Sequence, residues 1–106
     1  ELARAGSRGE RVICFAHMPL MPPDGQFTLW NNGQIAALLQ RYPCVRAFLA
    51  GHHHKGGAHR FGSVLHFIFQ GMIEGPDNHY AIVEVYPDKL VIRGYGAQRD
   101  ETLRWL

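Results

Sequence analysis

Three imidazoles stand together in Gly51-His52-His53-His54-Lys55-Gly56-Gly57, directly after an apolar run and directly before a glycine pair. Imidazole is the commonest protein ligand for zinc, manganese and iron. On an extended backbone, residues two positions apart point the same way, so His52 and His54 are expected to share one target while His53 faces elsewhere. A fourth histidine, His17, closes an earlier apolar run, Arg11-Val12-Ile13-Cys14-Phe15-Ala16, and opens a loop rich in proline and glycine. The plainer readings are a solvated histidine loop at 52–54 and a partly buried turn histidine at 17.

The elements around these residues decide whether they can meet. Arg11–Ala16 and Val45–Ala50 are short continuous apolar runs, as in strands covered on both faces. Between them Ile35, Leu38, Leu39 and Tyr42 recur at helical spacing. Asn31 is the expected cap, Gln34 the third-position partner of a capping box, and Pro43 the limit beyond which the helix cannot run. Strand, helix and strand make a βαβ unit, whose parallel strands end on the same sheet edge. His17, His52 and His54 are then expected to meet at that edge, where ligand sites of open sheets gather.

The rest of the chain reads as β structure. Ser63–Gln70, Tyr80–Tyr86 and Lys89–Gly94 are β-branched and aromatic runs, the second and third joined by the turn Tyr86-Pro87-Asp88-Lys89. Ile82, Glu84 and Tyr86 alternate against Val83 and Val85. Ala97–Leu106 is expected to be a short tail whose Leu103, Trp105 and Leu106 cover the core or a partner. At the amino end, Glu1–Ala5 reads as a last helical turn stopped by Gly6.

With 106 residues the chain has room for one core, and 46% hydrophobic and 19% charged residues are ordinary for a globular domain. No apolar run reaches the roughly 20 residues that cross a bilayer, and a net charge of +2 with scattered basic residues gives no nucleic-acid groove. Neither a membrane nor a nucleic acid is an expected partner. Cys14 and Cys44 are expected to be reduced and structural, which fits a cytoplasmic setting.

Val12-Ile13-Cys14-Phe15-Ala16-His17-Met18-Pro19, followed after a helix and a strand by Gly51-His52-His53-His54, resembles the last two metal motifs of the calcineurin-like metallophosphoesterases, a strand-ending H-x-P and a G-H-x-H. Trp30-Asn31, His66 with Gly71-Met72-Ile73-Glu74, and Val85–Lys89 with Gly94 resemble the manganese-dependent ADP-ribose/CDP-alcohol diphosphatase branch. The resemblance implies the fold class α/β, as the carboxyl-terminal half of an αββα sandwich: a βαβ unit followed by a three-strand β segment. It implies a centre of two divalent metal ions, manganese foremost with iron or zinc compatible, that cleaves phosphoanhydride or phosphodiester bonds of nucleotide-type substrates by hydroxide attack. His17 and His52 would ligate one metal and His54 the other. Trp30, Asn31, Lys55 and His66 would face the substrate, a phosphate-containing small molecule such as ADP-ribose or a CDP-alcohol.

The family's G-D-x-x-D and G-N-H motifs do not occur in these residues, and the one D-x-H tripeptide, Asp77-Asn78-His79, stands after the histidine motifs rather than in the amino-terminal place of the family's. Three neutral imidazoles cannot hold two dications a few ångströms apart without carboxylates. The chain is therefore expected to be one portion of a larger domain, inactive alone, with the general acid supplied elsewhere and a free sheet edge inviting self-association. Two other readings stay open at this point. One is a mononuclear zinc hydrolase using His17, His52 and His54 with water as the fourth ligand; the other is a non-catalytic metal-binding or interaction domain.

Overall fold

A computed structural model describes residues 1–72, 76 and 78–105. The expectations on Ile73, Glu74 and Leu106 lie outside these residues. Helix α1 (Leu2–Ser7) leads into β1 (Val12–Phe15); α2 (Asn32–Gln40) crosses to β2 (Val45–Ala50); β3 (Gly57–Phe61) and β4 (Val64–Ile68) follow. They form one sheet in the order β1-β2-β4-β3, with β1, β2 and β4 parallel and β3 antiparallel to β4. Strands β5 (Tyr80–Val85), β6 (Lys89–Tyr95) and β7 (Glu101–Arg104) make a second, antiparallel sheet.

Two apolar cores stack these layers. Ala36 and Leu39 of α2, Ala5 of α1 and the loop residues Leu20 and Met21 pack with Val45, Phe48, Ala50 and Val64 on one face of the first sheet. Ala47, Leu49, Leu65 and Phe67 on its other face meet Leu90 and Ile92 of β6, with Leu103 and Trp105 closing the edge. The result is helices, sheet, sheet: the βαβ unit with a three-strand segment that the sequence implies.

Several expectations need correction. The run 63–70 supplies β4, which joins the first sheet, and the third strand of the second sheet is β7, inside the supposed tail. β3 was not foreseen, because Gly-Ala-His-Arg-Phe has no strand pattern of its own; pairing with β4 makes it a strand. β1 is covered on both faces, Val12 and Cys14 packing on the helix-side core and Ile13 on the second, but it lies at the sheet edge, is only half-buried, and ends in Phe15, 72% exposed. Helix α1 runs through Gly6, and the left-handed turn comes at Gly9 (φ 70°).

Helix α2 ends before Pro43 as expected, but Asn31 caps it without a side-chain hydrogen bond, and its Oδ1 is buried without a partner. Asn32 is tied to the loop instead, donating through Nδ2 to the carbonyls of Leu20 (3.0 Å) and Pro23 (2.9 Å). Leu38, expected in the apolar stripe, is 45% exposed, and Ala36 takes its place beside Leu39. Val85 likewise points outward. Both cysteines are free, and burial, with Cys44 nearby, pushes the Cys14 thiol up. Among the described residues no helix is long and apolar enough to cross a membrane.

Candidate metal centre

The βαβ unit brings the two histidine motifs together as its topology requires. The β1–β2 pairing runs to Phe15↔Leu49, and two further backbone bonds extend it: Ala16 N–H to the Leu49 carbonyl (3.0 Å) and Gly51 N–H to the His17 carbonyl (2.9 Å). His17 therefore leaves the sheet beside Gly51. His17 Nε2 and His52 Nδ1 lie 3.2 Å apart, their rings 5.1 Å centre to centre and 73° inclined. At this distance one ring donates to the other when exactly one of the two nitrogens carries a proton.

The same separation suits a shared metal. Metal–imidazole bonds of about 2.0–2.1 Å put two neighbouring donor nitrogens about 2.9 or 3.4 Å apart, for octahedral and tetrahedral angles respectively. The donor chemistry is right for manganese, iron or zinc, but two ligands do not make a site. Among the described residues no group of three histidine, cysteine or acidic side chains converges. The mononuclear zinc reading, which needs His17, His52 and His54 on one ion, loses its geometry here.

The backbone from His52 to Lys55 is a turn rather than an extended strand, so the every-second-residue argument fails. His52 sits in the left-handed region at φ 67°, His53 N–H bonds the Gly51 carbonyl (2.8 Å), and Gly56 N–H bonds the His53 carbonyl (2.9 Å). The His54 ring lies instead against Gly71, whose N–H donates to the His54 carbonyl (3.0 Å). The left-handed residue at His52 and the turn that follows set the two motif histidines on different supports, the His17 ring for one and Gly71 for the other, while both still line the same cleft.

Gly71 is the part of this site that the histidine pattern did not disclose. A β-carbon there would come 2.6–2.8 Å from the His54 Cγ, Cδ2 and Cβ. Because Cβ is anchored to the backbone, the ring cannot swing clear without moving its own turn. Gly71→Ala is expected to displace His54 and weaken divalent-metal binding about tenfold while leaving far-UV dichroism unchanged. Unaltered metal affinity in that variant would mean that the close approach is incidental.

The remaining expected residues scatter. Lys55 is exposed and borders the open cleft formed by Phe27 and His52–His54, about 380 Å3, and a neighbouring cavity of about 310 Å3 under Pro19–Pro22 and Gly25–Thr28. Phe27 stacks on His53 at 4.7 Å and 20°, which accounts for the histidine that the motif leaves out. Trp30 is 86% exposed, and Asn31 is the helix cap beside it.

His66 lies away from these cavities. It is 3% exposed in the middle of β4, paired across to His59 and 5.8 Å from the Phe48 ring, with neither ring nitrogen bonded, and it lines none of these cavities. In this fold it packs in the core. Its pKa is pushed down to about 4, by burial first and then by the charge of His59.

The chain has relatives of known kind. The chain is 35% identical over 98% of its length to a manganese-dependent ADP-ribose/CDP-alcohol diphosphatase of Xenopus laevis. It is 37% identical over 93% of its length to the enzyme so named in Oryza sativa subsp. japonica, and 35% identical over 91% to that of Homo sapiens. A crystal structure of a dimetal phosphatase from Danio rerio superposes with TM-score 0.89 over 99% of the chain at 31% identity. This chain is homologous to part of the manganese-dependent ADP-ribose/CDP-alcohol diphosphatases. It spans about a third of their length, 31% of the Xenopus laevis protein and 35% of the Danio rerio chain. No family model matches it. The strand-ending H-x-P and G-H-x-H, read as metallophosphoesterase motifs, therefore sit in a fold that a dimetal phosphatase shares.

Proposed function

We propose that these residues form the histidine-bearing portion of a two-metal phosphohydrolase acting on nucleotide-type phosphoanhydrides or phosphodiesters, ADP-ribose or a CDP-alcohol among them. One observation carries the reading: His17 Nε2 and His52 Nδ1, 35 residues apart in sequence, converge to 3.2 Å at the ends of parallel strands. His17 and His52 would hold one manganese ion and His54 the second, with carboxylates from outside these residues completing both. When bound, such ions would supply charge neutralisation for the phosphoryl group and an acidified water.

The chain's own side chains do the remaining work. Imidazole side chains bring no negative charge to the strand ends, so an anionic substrate is not repelled by them. Lys55 adds a cation at the rim of the cleft, where it can meet phosphoryl oxygens. Trp30 and Asn31, at the head of α2, lie on the loop that follows His17 and would contact the substrate's organic part. Two free cysteines support a reducing, cytoplasmic setting.

The test uses the complete polypeptide that carries these residues, stripped of metal and titrated with manganese in the presence of ADP-ribose or a CDP-alcohol. Hydrolysis that rises with manganese to saturation is the expected result. Turnover equal in chelator and in manganese would overturn the proposal.

A further inference from the structure

Arg11 directly precedes β1 and Arg46 is the second residue of β2, so both stand at the amino ends of the parallel strands. The histidines stand at the other end: Arg46 to His52 is about 20 Å of nearly extended chain at about 3.3 Å per residue. Both arginines line an open cleft of about 260 Å3 together with Pro87, Asp88 and Trp105, and both also border a second open cleft beneath α1. None of the lining residues belongs to the metal centre.

We propose that this end of the sandwich binds a phosphate-type dianion between Arg11 and Arg46, against the Trp105 indole. The charges around these clefts do not cancel. Asp88 is already paired with Arg104 (3.1 Å), and Glu10 is held by both arms of Arg8 (2.6 and 2.9 Å). Arg11 donates through Nη1 to the Pro87 carbonyl (2.8 Å), a neutral acceptor that leaves its charge uncompensated. Arg46 keeps its Nε buried with no acceptor, a costly state for a charged donor unless an anion relieves it.

Guanidinium groups present paired N–H donors that match phosphoryl oxygens, which makes a phosphate or phosphate monoester a better fit than a halide. The wall opposite is rigid. Trp105 Nε1 donates to the Tyr86 carbonyl (3.1 Å), and the Trp105 N–H to the Asp88 carbonyl (3.0 Å), which fixes the indole against the hairpin turn. That fixed ring is also a reporter, because the chain has 2 tryptophans and the other, Trp30, stands on the loop that follows His17.

In the complete polypeptide that carries these residues, with Trp30→Phe, chelator present and ionic strength held constant with chloride, orthophosphate is titrated while tryptophan emission is followed, the Trp105→Phe difference isolating the Trp105 signal. A saturable change is expected, with the half-saturating concentration raised at least about tenfold by Arg11→Gln or Arg46→Gln. Arg11 is exposed, so its variant keeps the measurement readable if the more enclosed Arg46 position does not tolerate glutamine. Absence of a saturable change, an equal change on adding chloride alone, or an unshifted midpoint in Arg11→Gln would each overturn the proposal.

Discussion

Replacing His17 with alanine and His52 with glycine is expected to abolish high-affinity manganese binding and to lower manganese-dependent phosphohydrolysis by the complete polypeptide at least about a thousandfold. The size of the effect follows from what a divalent ion contributes: it brings the pKa of a bound water from 15.7 to near 7, in addition to stabilising phosphoryl charge. His17 Nε2 and His52 Nδ1 are the two donors that meet, so removing both leaves one corner of the centre without protein nitrogen. Glycine is the informative replacement at 52. His52 has φ 67°, where a side chain costs about 1–2 kcal/mol, and glycine occupies that region freely. The double variant should therefore fold, and lost activity can be assigned to lost ligands. His53→Ala is the control. That ring stacks on Phe27 rather than joining the pair, so metal affinity should stay within about twofold. Retained tight manganese binding in the double variant, by calorimetry, would remove His17 and His52 from the centre.

How far this site could be read from the sequence depends on which forces set each part. The convergence of His17 with the 52–54 triplet was legible because two apolar runs flanking a helical pattern leave few topologies, and a right-handed βαβ crossover aligns strand ends. The division within the triplet came only from the family motif, and the backbone that accompanies it was not legible in the residues. Three identical residues carry no local sign of which one turns left-handed, and the geometry is imposed by the Gly56 turn and by Gly71 against the His54 ring. β3 and β7 escaped notice for a related reason. Gly57–Phe61 and Glu101–Arg104 have little intrinsic strand preference and exist through registry with β4 and β6. Leu38 misled because a 9-residue helix touching the sheet on a narrow line buries only Ala36 and Leu39 in full.

His66 could not be placed by pattern at all. In β4 every residue from Val64 to Ile68 is buried, so alternation says nothing about exposure and a histidine among them reads equally as a ligand or as packing. Its environment makes a sharp prediction. The folded chain holds the imidazole neutral to about pH 4, against an ordinary value of 6.5, so the unfolded chain takes up a proton in that window and the folded chain does not. The contribution is whole above pH 6.5 and is lost as pH falls toward 4, a difference that approaches about 3 kcal/mol at 1.36 kcal/mol per pH unit. His66→Leu removes that titration and two buried nitrogens that lack partners. At pH 8 the leucine chain should be as stable as the native one or more so, since an unpaired buried polar group costs about 1–3 kcal/mol. Urea unfolding at half-unit steps from pH 8 to 4 gives the difference curve, in which the contributions of the other histidines cancel. The curve should be flat above pH 7 and should rise in favour of the leucine chain below pH 6.5. His59→Ala, which removes the smaller cause of the depression, should move the onset only slightly. A difference curve flat throughout would place the His66 ring in contact with solvent or with an acceptor, and would reopen its role beside the metal centre.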